Sequence, residues 1–287
     1  MKLEKFKQYI LHHLGYYLYK YKRGLRKYEI DAEWALRIND VAACNDNSLI
    51  NKVVNAGKVT GNYQLMHNGI KVYLGSYYGF GYTRLLEKNF GIHEPQEEYV
   101  FQEVLKHIPS NSTMIELGSF WSFYSMWFQK QILNAENYLI EPEYINMLKG
   151  KSNFELNNLK GKFFNAYVGK ESILNSSVPT FSIDDFVSKN GISHVAILHS
   201  DIQGWEYEML LGAGKTFAQQ LIDYVFISTH SNDLHEKCRA FLINQGFDII
   251  ASADLDETFS VDGVLVGKHQ SVKGPAAIQI HLKSKIK

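Results

Sequence analysis

Net charge is the first thing this chain lacks. Thirty basic residues balance thirty acidic ones, so the formal charge is zero with histidine neutral. A protein that coats nucleic acid needs a basic excess to meet phosphates, so nucleic acid is not an expected partner. Cysteine is nearly missing too. Cys44 and Cys238 are the only two, too few for a disulfide framework or a zinc ribbon, and they read as reduced thiols of a cytoplasmic protein. No run of about 18 apolar residues occurs, so no membrane-spanning helix is expected. Lys5, Lys7, His12 and His13 break up the N-terminal stretch, which argues against a secretory signal. Repeats and low-complexity tracts are absent.

What is present suits a globular protein. The 287 residues are 45% hydrophobic and 14% aromatic, which excludes wholesale disorder and allows a full core. At roughly 150 residues per domain, one or two domains are expected. The zero charge is unevenly spread. Residues 1–27 carry eight basic residues and one acid, a local +7, which leaves −7 for the other 260 residues. Phe6, Ile10, Leu14, Tyr17, Leu18, Tyr21 and Leu25 recur at helical spacing. The favoured reading is a helix packed on its own domain or on a partner protein. The other is a basic amphipathic helix on an anionic membrane surface, peripheral to the inner face. An aromatic-rich N-terminal segment is also a candidate interface for a homo-oligomer.

Residues 1–92 are expected to form an N-terminal extension. After the basic helix, Tyr63–Met66 and Ile70–Tyr73 flank His67-Asn68-Gly69, a β-hairpin signal. The Gly- and Tyr-rich segment from Gly75 to Tyr82 reads either as a loop over a site, with Tyr78 a substrate contact, or as an aromatic connector. From residue 93 to 287 a single α/β domain is expected. Pro95 beside Glu94, Glu97 and Glu98 marks a helix start. Seven strands follow: Thr113–Leu117, Asn137–Ile140, Phe163–Val168, His194–His199, Tyr224–Ser228, Phe247–Ala251 and Val261–Val266. Helices fall between most of them. This alternation predicts a Rossmann-like, mostly parallel seven-stranded sheet with helices on both faces, its final strand inserted antiparallel.

In such sheets ligands bind beyond the carboxyl ends of the strands. Glu116, Gly118 and Ser119 end the first strand there, and Glu141 ends the second. Glu141 can accept two hydrogen bonds from ribose hydroxyls, Gly118 permits close backbone approach, and Glu116 can pair with an ammonium group. The glycine fingerprint of dinucleotide sites is missing, because Phe120, Trp121 and Ser122 follow Ser119. A nucleoside without phosphates, such as S-adenosylmethionine, fits better than NAD or FAD.

With Ile115–Tyr124, Ile140–Glu143, Val178–Phe186 and Leu198–Ala213 in this order, residues 93–267 resemble the FkbM-type family of S-adenosylmethionine-dependent methyltransferases. The last segment, with its Asp-x-x-Gly-x-Glu pattern, is the most specific. The resemblance implies that Glu116, Gly118 and Ser119 line the methionine and ribose side, that Glu141 binds ribose, that Asn165 and Ala166 flank adenine, and that Asp201 sits beside the transfer point. It further implies O-methylation of a hydroxyl on a saccharide or other small molecule, that is, carbohydrate modification. The family usually has Asp at Glu116, Asn at Phe120 and Gly at Ser122, so a slightly different loop is expected here.

Methyl transfer to a hydroxyl gains from alignment and from a base. His230, titrating near neutral pH, is the expected base, with Asp201 and His199 as the other candidates. His199 and Asp201, two apart, are expected on one strand face. Gln203 is a candidate substrate contact. His199, Asp201 and His230 are also weighed as ligands of a divalent metal, a reading not favoured. The alternative to an enzyme is a non-catalytic scaffold that binds an adenosyl ligand or docks on a membrane.

Overall fold

Five of the chain's apolar runs are strands buried on both faces along nearly their whole length, and they set the architecture. The computed structural model describes residues 32–283; the basic helix expected over residues 1–27 lies outside them. The described elements are α1 (Ala32–Ala43), β1 (Val59–Thr60), β2 (Tyr63–Leu65), β3 (Lys71–Tyr73), α2 (Phe80–Lys88), α3 (Pro95–Leu105), β4 (Thr113–Leu117), α4 (Phe123–Gln131), β5 (Glu136–Ile140), α5 (Tyr144–Leu156) and β6 (Lys162–Phe164). They continue with β7 (Tyr167–Val168), β8 (Thr180–Phe181), α6 (Ile183–Lys189), β9 (Val195–Ser200), α7 (Glu206–Leu211), α8 (Gly214–Ala218), β10 (Ile222–Thr229), α9 (Asn232–Asn244), β11 (Phe247–Ala253) and β12 (Gly263–His269).

The main sheet has seven strands in the order β11-β12-β10-β9-β4-β5-β6. β6, β5, β4, β9 and β10 pair in parallel, while β12 runs antiparallel between β10 and β11. This is the expected fold class, with the last strand inserted as the sequence predicts. One predicted strand divides. Phe163–Val168 becomes β6 and β7, separated at Asn165 and Ala166, because Asn165 donates its side-chain amide to the carbonyls of Glu141 and Pro142 instead of continuing the ladder. The hairpin also forms, with Tyr63 opposite Tyr73 and Gly69 at φ +80°, where glycine carries no steric penalty.

Strand alternation sorts side chains onto two apolar layers. Ile115, Leu117, Leu198, Val225 and Ile227 join α6, α7, α8 and α9. Met114, Leu139, Ala196, Tyr224 and Phe226 join α1, the hairpin, α3 and α4. Residues 32–92 therefore share the second layer. Asn153 on α5 and Asn157, which caps its C-terminus one turn later, fasten β3 to it: Asn153 Oδ1 accepts from Tyr73 N at 2.9 Å and Asn157 Oδ1 from Lys71 N at 2.9 Å. No helix among the described residues is long and apolar enough to cross a membrane.

The start of α3 is unusually acidic for a buried element. Glu94, Glu97 and Glu98 are all buried. Glu98 Oε1 accepts from the backbone N–H of His93 and Glu94, at 2.7 and 2.8 Å, and so satisfies two donors at the helix start. The same carboxylate lies 2.7 Å from His93 Nδ1 and 2.8 Å from His67 Nε2. Burial alone would lower the His93 pKa, but Glu98 and then Glu94 outweigh it and hold it up at about 10. Cutting one member from a buried ionic cluster leaves uncompensated charge, so Glu98→Ala should cost about 3–5 kcal/mol in denaturant unfolding. His93 is raised above its ordinary value, so its stabilisation is full below about pH 6.5 and is lost as pH rises through about 10. Stability should therefore fall between pH 7 and 10, and His93→Gln should flatten that slope.

Candidate functional site

The sheet order reverses direction between β4 and β9, which makes their carboxyl ends the switch point of the fold. The loops that leave these strands touch. Asp201 N donates to Leu117 O at 3.0 Å, and a Cβ on Gly118 would lie 1.8 Å from the Asp201 carbonyl oxygen. Gly118 also sits at φ +71°, so both space and backbone demand glycine here. Its N–H and that of Ser119 donate to Ile140 O, at 2.9 and 3.1 Å, which ties in the end of β5.

A cavity of about 880 Å³ opens over these three strand ends, within the range of small-molecule sites. Gly118, Phe120, Glu141, Ala166, Asp201 and Gln203 lie in its wall, as do Tyr78 on one side and Trp205 on another. Glu141 is fixed by the backbone. Its Oε2 accepts from Phe120 N at 2.9 Å and its Oε1 from Glu143 N at 2.9 Å. Burial raises its pKa, partly offset by those two N–H groups. Each oxygen keeps a further lone pair for a ligand hydroxyl.

The expected loop change at Phe120 and Ser122 is resolved by the backbone. Both residues adopt left-handed conformations, at φ +34° and +66°. Side chains at positions that favour glycine cost energy and persist only where the surroundings enforce them. Here Glu141 holds the Phe120 amide, and Ser122 N donates to Ser119 O at 2.5 Å.

The polar end of the cavity is at Asp201. Gln203 Nε2 donates to Asp201 Oδ1 at 3.2 Å. His230, one residue past β10, points its Nε2 between Asp201 Oδ1 at 3.4 Å and Asp262 Oδ1 at 3.3 Å, with Nδ1 3.0 Å from Glu206 Oε1. Burial would lower its pKa, but Asp201 and Glu206 override it and hold it up at about 10. His230 is therefore an imidazolium at neutral pH, and the expectation of a base titrating there is corrected by its three acidic neighbours. Glu206 is fully buried and also accepts from Ile202 N and Gly204 N, which fixes the turn ahead of α7.

Several expected residues do not reach the wall. Glu116 and His199 lie side by side on β4 and β9, in register, and alternation turns both toward α3 and α4. His199 Nε2 meets Glu97 Oε1 at 2.7 Å, and its ring lies 4.3 Å from that of Tyr124. Glu116 accepts from Ser125 N at 3.2 Å, and burial pushes its carboxyl up to about 7. His199 and Asp201 therefore do not share a face: the strand ends at Ser200, and Asp201 turns into the cavity. The trio His199, Asp201 and His230 is not assembled, and no group of three or more potential ligands among the described residues is arranged to hold a metal. Ser119 is buried outside the cavity wall, and Asn165 braces the Glu141 loop while its neighbour Ala166 lines the cavity.

The sequence reading missed Asp262. Its signal was the antiparallel last strand: a strand running backwards begins at the edge where its parallel neighbours end, so the residue before β12 arrives at the site.

Residues 35–249 match the model of the methyltransferase FkbM domain. The chain belongs to the FkbM methyltransferase family. It is accordingly an S-adenosylmethionine-dependent methyltransferase. Among solved structures, it is similar to methyltransferase FkbM from Methylobacillus flagellatus KT, at 18% identity and TM-score 0.42, over 56% of this chain and 44% of that one. It is also similar to a precorrin-6y C5,15-methyltransferase from Geobacter metallireducens GS-15, at 8% identity and TM-score 0.42, over 60% and 89% of the two chains. A third similar structure is M. capricolum TrmK in complex with S-adenosyl-homocysteine, at 12% identity and TM-score 0.42, over 61% and 69%. No curated protein matches the chain.

The donor set suits the cofactor of this FkbM methyltransferase. A phosphate-free nucleoside needs a carboxylate for its ribose and an apolar slot for its base, and Glu141 with Ile140, Pro142, Ala166 and Ile202 offers both. Gly118→Ala should separate the β4 and β9 loops. We expect at least a tenfold loss of S-adenosylmethionine affinity by calorimetry, with the fold retained by circular dichroism.

Proposed function

We propose that this methyltransferase O-methylates a hydroxyl of a saccharide or sugar-linked metabolite. The observation that carries the reading is one cavity whose wall brings together carboxylates from different strand ends, Glu141 after β5 and Asp201 after β9. Glu141 takes the ribose hydroxyls, Ala166 flanks the adenine, and Gly118 lets the backbone close on the ligand. S-adenosylmethionine, when bound, supplies a methyl group activated by the sulfonium. Asp201 marks the transfer end. There the acceptor's hydroxyl proton leaves to a carboxylate, because His230 is already protonated at neutral pH. Glu206 and His230 act as positioning residues for Asp201.

The surroundings of Asp201 favour a polyhydroxylated acceptor. Gln203 and Asp201 offer amide and carboxylate partners for hydroxyl groups. Tyr78, half exposed, and Phe120 pack edge to face with ring centroids 5.3 Å apart, and both line the cavity, an aromatic surface suited to the apolar face of a sugar. Residues 1–92, through Tyr78, serve the acceptor side rather than the cofactor. The +7 segment over residues 1–27 acts apart from catalysis, as a docking surface for a partner or an anionic membrane.

Calorimetry with S-adenosylmethionine and S-adenosylhomocysteine tests the cofactor assignment. Glu141→Gln should weaken both about 10- to 100-fold, the worth of one or two charge-assisted hydrogen bonds. Unchanged affinity would remove Glu141 from the ribose site. A methyl-release assay over glycosides, phenols and amines, with and without chelator, tests the acceptor class. Methylation of amines alone would sink the hydroxyl reading.

A further inference from the structure

Asp262 stands outside the cavity wall, yet the fold carries it, partly exposed, to the far side of His230 from Asp201, which is in that wall. β12 is the one antiparallel strand of the main sheet. Gly263, its first residue, pairs with Thr229, the last residue of β10. Asp262 thus stands next to His230, and its Oδ1 shares His230 Nε2 with Asp201. Two carboxylates on one imidazole nitrogen are held together by the cation between them.

Its other charged neighbours are few. Asp262 feels Asp201, His230, Glu94 and Arg37, and it acts in turn on Tyr78. Arg37 comes from α1, its guanidinium 5.1 Å from the Tyr82 ring centre. Acidic groups outnumber basic ones only slightly here, so a carboxyl in this place can hold or release a proton. Asp201 differs, because it lines the cofactor cavity itself and receives a hydrogen bond from Gln203.

We propose that Asp262 is the catalytic base of this methyltransferase, with His230 the residue that positions it against Asp201. As the acceptor oxygen bonds to the methyl carbon, the hydroxyl proton passes to an Asp262 Oδ. The carbon–sulfur bond breaks with its electron pair left on sulfur, so carboxylate and sulfonium become carboxylic acid and thioether. Burial, and after it Asp201, pushes the Asp262 carboxyl up to about 7, near the value at which a base works best at neutral pH. The inference rests on the assignment of the Asp201 end of the cavity as the transfer end.

The test needs no acceptor. Sinefungin carries an amine where the cofactor carries its methylsulfonium, so it places a cation at the transfer point; S-adenosylhomocysteine places none. Titration calorimetry of the full chain in buffers of different ionisation enthalpy gives the protons released on binding. If Asp262 faces that point with a pKa of about 7, sinefungin should release about half a proton at pH 7 and S-adenosylhomocysteine none. The sinefungin-to-homocysteine affinity ratio should rise about tenfold from pH 6 to pH 8. Asp262→Asn should abolish both effects while S-adenosylhomocysteine still binds. Wild-type protein that binds all ligands without proton release, or a release that survives in Asp262→Asn, would overturn the assignment. Failure of every ligand to bind would instead overturn the cofactor site, and this inference with it.

Discussion

The contact between Gly118 and the Asp201 carbonyl is the constraint on which the site depends. Two loops that leave adjacent parallel strands are pressed together where no side chain fits. Because they touch, Asp201 is presented to the cavity at a fixed height, and the β4 loop is pushed toward Ile140 and Glu141. The left-handed backbone at Phe120 and Ser122 follows from the same compression, since the chain must turn within a few residues to enter α4. Glu141 secures the turn by accepting the Phe120 amide. A single carboxylate thus braces the loop and, in our reading, binds the ribose.

Beneath the cavity lies a second polar layer. Strand alternation sends Glu116 and His199 toward α3 and α4, where Glu97, Glu98, His93 and Tyr124 are also buried. Charges this deep are tolerated only when paired, and here acids and imidazoles alternate: Glu98 with His93 and His67, Glu97 with His199. The layer ties residues 32–92 to the sheet by polar contacts as well as apolar ones.

Fold class was legible because hydrophobic strands and helices alternate regularly after residue 93 and the last strand lacks a preceding helix. The site was legible only in part. Gly118, Glu141, Ala166, Asp201, Gln203 and Tyr78 reach the cavity, since strand ends at a switch point can be read from topology. Glu116 and His199 were misplaced because their strand faces depend on register, which spacing alone left open. His230 stands at the end of β10 as expected but outside the cavity wall, and its charge was not legible: Glu206, Asp262 and Asp201 converge on it from different segments, and a single sequence does not display that convergence. Asp262 was missed although the predicted antiparallel strand implied where it would start.

The reversed direction of β12 divides the molecule's debts to its own chain. The cavity wall comes mostly from a central stretch, between Gly118 and Glu208, whereas the groups around Asp262 come from the flanks: Arg37 and Tyr78 before that stretch, His230 and Asp262 after it. In our reading, changes in the flanks reshape the acceptor side and leave the donor side untouched. A fold with this layout can diversify its substrates without relearning how to hold its methyl donor.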